Sequence, residues 1–147
     1  MLTGAFLVIL LFLAAIVPPL RYNKFYIVNT ALVVGSAYLF ENNVFKIQNI
    51  FTYKTLLLFL IFHILSINIT TFIAYGVDKK AARQKDWRIP EKDLHTLEFL
   101  GGWIGAFLGQ RFFKHKTSKK SFQTTYKLMI ILEFAVIFGL LKYFGFI

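Results

Sequence analysis

The stretch LHTLEFLGGWIGAFLGQRFF, residues 94–113, decides how this chain is built. About 20 mainly apolar residues are enough to cross the roughly 30 Å of bilayer hydrocarbon, so its length permits a crossing. Yet it holds Glu98 and four glycines, and it lies between the two most basic loops of the protein. Residues 78–93 contain Lys79, Lys80, Arg83, Lys85, Arg88 and Lys92; residues 111–127 contain Arg111, Lys114, Lys116, Lys119, Lys120 and Lys127. A full crossing would put these loops on opposite faces, whereas the positive-inside rule prefers both in the cytoplasm.

Four other apolar runs surround it. Leu2–Leu20 is uncharged, stops at Pro18-Pro19 and has no basic residue ahead of it, so it reads as a retained first helix rather than a secretory leader. Tyr26–Phe40 is shorter, extended by Lys24 and Asn42 at the interfaces. Thr55–Val77 is a clear 23-residue span, and Leu128–Ile147 is the last, with Glu133 near its start and Lys142 near its end.

Five full crossings would leave eight basic loop residues on each face and therefore no preferred orientation. Four crossings leave 14 inside and only Lys46 and Lys54 outside. The expected architecture is therefore an all-α membrane protein with about four transmembrane helices and a short glycine-rich re-entrant or interfacial helix at 94–113. Both termini are expected outside the cytoplasmic (inner) membrane, with 78–127 facing the cytoplasm. Residues 1–54 form two N-terminal helices, and 55–147 hold the polar chemistry.

Composition agrees with a membrane setting. Of 147 residues, 57% are hydrophobic and 18 are Phe, and mean hydropathy is +0.61. A water-soluble domain this small has too much surface for its volume to hide so much apolar area. Lys and Arg number 17 against 7 Asp and Glu, a net charge of +10, and 12 of the 17 lie between Lys79 and Lys127. With no Cys in the sequence, disulfides, zinc-thiolate sites, Fe–S clusters and cysteine nucleophiles are excluded.

Polar residues inside a span are costly and so face a neighbouring helix or a wet cavity. Asn68, Thr71, Tyr75 and Asp78 recur at helical spacing on one such face. Pro90 followed by Glu91 and Asp93 is a helix start, with acids favoured in the first turn. Glu91, His95 and Glu98 then fall on one stripe. This stripe can shuttle protons, but it offers too few nitrogen or sulfur ligands for a structural zinc site, and no metal site is expected. Gly101, Gly105 and Gly109 recur every fourth residue with Gly102 and Ala106 beside them, a small-residue stripe that lets another backbone approach closely. In Lys114–Phe122, Lys116 and Lys119 alternate with Thr117 and Ser121, and His115 is interleaved. Cations and hydroxyl donors of this kind suit a phosphate, and a polybasic segment beside a span attracts anionic lipid.

Four ordered blocks now stand together: Tyr75-x-x-Asp78-Lys79-x-x-Ala82; Trp87-Arg88-Ile89-Pro90-Glu91; Leu94-x-x-Leu97-x-x-x-Gly101-Gly102-x-x-Gly105-Ala106; and His115-Lys116-Thr117-x-Lys119-x-x-Phe122. Across roughly residues 68–127 the chain resembles the domain-of-unknown-function 1294 family of small prokaryotic membrane proteins. Lys114 departs from the pattern, which has Arg before His-Lys-Thr; Lys acts as a point charge where Arg makes a bidentate contact. Some members carry a cold-shock nucleic-acid-binding domain ahead of this region. Hydrophobic helices occupy that place here, so nucleic acid is not an expected partner. The resemblance implies a membrane fold and a set of marked positions, and names no reaction.

Three functional expectations follow. In the first, a phosphate-bearing amphiphile, phospholipid or isoprenoid phosphate, binds at the cytoplasmic face. Tyr75, Lys79, Arg88, His95, Lys116, Thr117, Lys119 and Ser121 contact it. If chemistry occurs there, Asp78, Glu91 and His115 are the candidate acid–base groups; no cofactor is expected, with Mg²⁺ an option only for phosphoryl transfer. In the second, the protein is a non-catalytic scaffold or partner subunit, in which Arg88 and the His-Lys-Thr segment pair internally with Asp78, Glu91 and Glu98. The third and weakest is an oligomeric channel through the glycine stripe. Anionic membrane lipids are the expected partners, together with a second copy of the chain. No Walker loop, serine nucleophile elbow, HExxH or dinucleotide fingerprint is present.

Overall fold

The computed structural model describes residues 1–43 and 53–146; Lys46, assigned above to an outer loop, lies outside the described residues. Its elements are helical: α1 (Leu2–Ile16), the single turn α2 (Pro18–Arg21), α3 (Lys24–Asn43), α4 (Tyr53–Gln84), α5 (Glu91–Leu97), a widened π-type turn (Glu98–Gly102), α6 (Trp103–Phe112) and α7 (Lys120–Tyr143). Two compact units divide within α4, the first covering Met1–Thr70 and the second Thr71–Ile147.

Among the described residues two helices, α4 and α7, are long and apolar enough to cross a membrane, rather than the expected four. The physical reasons are local. The run Leu2–Leu20 is not one helix: Val17 is extended (φ −105°, ψ 93°), as a residue before proline tends to be, and Pro18 opens a new turn. What remains of α1 is 15 residues, about 22 Å at ~1.5 Å per residue. Helix α3 reaches 20 residues, but Asn29, Thr30 and Ser36 dilute its apolar character. The 32 residues of α4 span about 48 Å, more than the hydrocarbon layer. Its apolar part ends at Val77, and its last turns, from Asp78 on, carry the charges.

In the first unit, Leu2, Phe6 and Leu10 make the buried stripe of α1, and Val33 and Ala37 are buried on α3. The Tyr26 hydroxyl donates to the Leu10 carbonyl at 2.9 Å, and the Thr3 hydroxyl donates to Glu41 at 2.7 Å. Edge-on aromatic pairs fill the space beside them, with Phe6 5.1 Å from Phe59 and Phe40 5.6 Å from Phe62.

In the second unit the decisive stretch is a broken helix. Pro90 (φ −57°, ψ 136°) precedes α5, and Gly101 at φ +102° kinks the chain into α6. That left-handed angle suits glycine because it has no Cβ to clash. At 10 residues, about 15 Å, α6 is too short to cross a bilayer. Two glycines bring it against α4: a Cβ at Gly102 would lie 2.2 Å from Thr71 Oγ1, and one at Gly109 would lie 2.9 Å from Tyr75 Cβ. After α6 the chain reverses through Lys114 (φ 48°) and Lys116 (φ 60°), both left-handed. The His115 amide, between them, donates to the Gln110 carbonyl at 3.0 Å. Along α7, large apolar side chains including Ile131, Phe134 and Phe138 are exposed.

Candidate functional site

Asp78 stands one residue beyond the apolar part of α4, with no solvent exposure. Such a carboxylate is tolerated only with partners, and the second unit supplies four. Arg88 donates through Nε to Oδ1 (3.3 Å) and through Nη2 to Oδ2 (3.1 Å). The Ile89 amide donates to Oδ1 at 3.2 Å. His115 Nε2 lies 2.7 Å from Oδ2, and Lys116 Nζ lies 3.2 Å from the same oxygen.

Local structure explains the convergence. Helix α4 stops where Lys85 adopts a left-handed angle (φ 56°), and the Asp86 amide donates back to Ala81. Residues 86–90 then bring Arg88 alongside Asp78, while the left-handed pair at 114 and 116 directs His115 and Lys116 inward. Lys116, with only 4% of its side chain exposed, also lies 3.4 Å from Glu91 Oε1 and 4.7 Å from the centre of the Phe122 ring. Lys119 completes the frame, donating to both Glu91 oxygens at 2.8 and 3.0 Å.

The electrostatics follow from these contacts. Burial raises the Asp78 pKa, but the bonds from Arg88 and His115 and the charge of Lys116 outweigh it and bring it to about 2. Burial lowers His115, and the nearby Lys116 and Arg88 charges add to the effect against the opposing pull of Asp78. Below its ordinary value, His115 is a neutral imidazole at pH 7, and its bond to Asp78 places the proton on Nε2. Lys119 and Lys116 lower Glu91 against the opposing effect of burial, and the bond to Asp78 raises Arg88.

A second buried carboxylate has a different environment. Glu98 has no exposure; it accepts a short hydrogen bond from the Tyr75 hydroxyl at Oε1, and His95 Nδ1 lies 2.6 Å from Oε2. His95 packs 4.3 Å from the Phe122 ring. The chain of bonds runs on: Gln110 Nε2 donates to the Tyr75 hydroxyl (3.3 Å), and Gln123 Nε2 donates to Gln110 Oε1 (2.6 Å) and to the Lys116 carbonyl (2.9 Å). The two carboxylate centres are thus joined through Gln123 and Lys116.

Among the anticipated residues, the structure therefore gathers Asp78, Arg88, His115, Lys116, Glu91 and Lys119 into one frame, and Tyr75 and His95 into the adjoining cluster. It separates the proposed stripe, since Glu91 pairs with Lys116 and Lys119 while His95 and Glu98 pair with each other. Glu98 takes Tyr75 and His95 in place of the expected basic segment. Thr117 lines a separate cleft of about 340 Å³ with Gln110, Arg111 and Tyr126. Ser121 is exposed, its carbonyl accepting from the Thr125 hydroxyl. Lys79 Nζ donates to the Lys114 carbonyl at 3.3 Å. Gly105 is buried with Gly102 and Gly109. Asn68 donates within its own helix, to Ile64. Among the described residues, no group of three or more His, Asp or Glu converges as a metal site would require.

Sequence reasoning missed Gln110 and Gln123. The available signal was Gln110 itself, a polar side chain directly after Gly109 on the close-packing stripe. It also passed over the groove formed by the end of α4 and the end of α6. This cleft of about 480 Å³ is bordered by Lys79, Lys80, Arg83 and Lys114 over Gly76, Phe112 and Phe113.

These features define an all-helical protein with apolar helices and a buried, cation-ringed carboxylate in its second unit. The same residues carry the family assignment: residues 68–122 match the model of the family described as "Protein of unknown function (DUF1294)". The chain is also 35% identical over 71 residues to the uncharacterized protein YsdA of Bacillus subtilis (strain 168), a match covering 48% of this chain and 80% of that protein. The chain belongs to the DUF1294 family. No solved structure matches it.

Proposed function

We propose that this protein is a multi-pass inner-membrane protein, with residues 78–127 on the cytoplasmic face, that binds a phosphate-bearing amphiphile such as a phospholipid or isoprenoid phosphate. The observation that carries this reading is the division of the cations into two sets. Arg88, Lys116 and Lys119 are occupied by Asp78 and Glu91, and the neutral His115 bonds Asp78 beside them. Lys79, Lys80, Arg83 and Lys114 have no carboxylate within ion-pair distance among the described residues, and they stand where the apolar part of α4 ends. Cations at that level meet lipid phosphates, and each contributes about 1 kcal/mol of attraction to an anionic surface. Internal pairing keeps the frame from competing for the ligand and holds the exposed set in place.

In this reading the protein binds rather than transforms its ligand, because Asp78, Glu91 and His115 are engaged in holding the frame. Native mass spectrometry in a neutral detergent tests it: phosphatidylglycerol is retained in preference to phosphatidylcholine, and equal retention of the two overturns the proposal. The orientation has its own test. A cysteine replacing Ser118 is expected to resist an impermeant thiol reagent in intact cells and to react after the cells are opened.

The frame also supports the scaffold reading, in which the ion pairs fix an arrangement that a partner subunit recognises. Buried pairs of this kind often specify geometry more than they add stability. Co-purification of a stoichiometric partner that Arg88→Ala releases from a still-folded protein would favour it.

A further inference from the structure

We infer that the groove between the last turns of α4 and the end of α6 is the seat of the amphiphile, with the lipid phosphate on the cationic rim and its first chain segments on the aromatic floor. This rests on the function proposed above; of the residues that the sequence pattern singles out it keeps Lys79 and moves the binding site away from Arg88, Lys116 and Lys119.

The groove has two zones of different chemistry. Gly76, Lys80 and Arg83 recur at helical spacing along α4, with Lys79 beside them. Opposite stand Phe112 and Phe113, followed by Lys114. Gly76 makes the floor possible: a Cβ there would lie 2.8 Å from the Phe113 ring, so the absence of a side chain lets the ring pack onto α4. Phe72 supports the same ring, 5.1 Å from Phe113 and 5.7 Å from Phe112.

The two sides of the rim are tied to each other. Lys79 Nζ bonds the Lys114 carbonyl at 3.3 Å, tying α4 to the turn after α6. Lys114 itself adopts a left-handed backbone next to His115, which is anchored on Asp78. Lys80, Arg83 and Lys114 are exposed around the opening, and no carboxylate lines it. At about 480 Å³ the space is of ligand size. A free inorganic anion would use the rim alone and leave Phe112, with 74% of its surface exposed, uncovered. An anionic lipid satisfies both zones, so charge and apolar surface together select it.

The test uses the full chain in neutral detergent, titrated with phosphatidylglycerol and read by native mass spectrometry. Lys80→Glu/Arg83→Glu is expected to weaken retention about tenfold. The control Lys92→Glu/Lys120→Glu, of equal charge change but outside the groove and the frame, is expected to change it less than twofold. Phe112→Ala is expected to weaken phosphatidylglycerol while leaving glycerol phosphate unaffected. Lys80→Gln/Arg83→Gln replaces the reversal variant if that one does not fold.

Equal losses in the groove and control variants would overturn the groove while leaving amphiphile binding intact. Failure of the wild-type protein to prefer phosphatidylglycerol over phosphatidylcholine would overturn the underlying function as well. Displacement of the lipid by about 10 mM inorganic phosphate, but not by chloride of matched ionic strength, would show a free-anion site and overturn the lipid as occupant.

Discussion

The two compact units of this chain are assembled by different physics. In the first, α1 and α3 meet through the apolar Leu2, Phe6, Leu10, Val33 and Ala37, with polar contacts set at the Glu41 clasp on Met1 and Thr3 and at the Tyr26–Leu10 bond. In the second, helices are gathered around two buried carboxylates, Asp78 and Glu98, each of whose oxygens is hydrogen-bonded. Their glycines differ in the same way. Gly4 and Gly35 have nothing within 4 Å of where a Cβ would stand, whereas Gly102 and Gly109 lie against Thr71 and Tyr75. Apolar packing is forgiving of position and indifferent to pH, and in the first unit the Glu41 carboxylate, lowered to about 2 by its bonds to the Met1 amino group and Thr3, adds a pH-dependent contact beside it. A buried ion-pair frame is neither forgiving nor indifferent, so the second unit carries the constraints that a binding site needs.

The largest expected effects set one unit against the other. Asp78→Asn leaves Arg88 and the buried Lys116 without their carboxylate, and removing one partner of a buried pair costs about 3–5 kcal/mol. Phe6→Ala, at a fully buried ring, costs a similar ~3–5 kcal/mol by opening a cavity. Thermal unfolding in detergent measures both. Only the Asp78 variant should lose its pH dependence; the same pH response in both would break the contrast between the units.

The pH dependence itself is expected to be somewhat smaller. The Asp78 pKa is lower when folded than the usual 3.8, so its stabilisation is present above that value and is lost as pH falls through about 2. The loss, on the order of 2 kcal/mol, is expected between about pH 4 and pH 2. His115 is also lowered on folding, so charging it opposes the fold, and that penalty begins as pH falls below its ordinary value near 6.5. Melting temperatures across pH 7 to 2, with and without Asp78→Asn, separate the two components.

Of comparable size, Gly102→Ala forces a methyl into the space of Thr71 Oγ1 and the Leu97 carbonyl, at an expected cost of about 1–3 kcal/mol. The smallest effect belongs to Gly4→Ala and Gly35→Ala in the first unit. With open space around each, helix propensity should stabilise by up to about 1 kcal/mol. If Gly102→Ala proved as harmless as Gly35→Ala, the close approach of α6 to α4 would be wrong.

Much of this was legible in the residue pattern. The helical class, the long apolar run of α4, the helix start after Pro90 and the glycine stripe that allows close approach all follow from local rules, because proline, glycine and apolar periodicity act on a few neighbouring residues; the kink at Gly101 was not anticipated. The number of long apolar helices was not legible: counting apolar residues across Pro18 and Pro19 joined two helices into one. The frame was foreseen in kind, through Asp78, Glu91, Arg88, His115 and Lys116, but its partners were assigned incompletely. Glu98 turned to Tyr75 and His95 instead of the basic segment, since the kink at Gly101 sets that carboxylate beside α4.

The amino-acid sequence by itself determined the helical class, the family, the asymmetry of charge and the positions where chemistry is concentrated. Each is a property of composition or of residues close along the chain. Only the tertiary structure decided which cations pair with a carboxylate and which stand at the groove. Arg88 and Lys80 are alike as basic residues near the end of one helix, but Arg88 lies 3.1 Å from a buried carboxylate while Lys80 stands at the rim of an apolar groove. That distinction depends on where distant segments fold back, through the left-handed turn at Lys114 and Lys116 and the close contact of Gly109 with α4, and on the cost of leaving a buried charge unpaired.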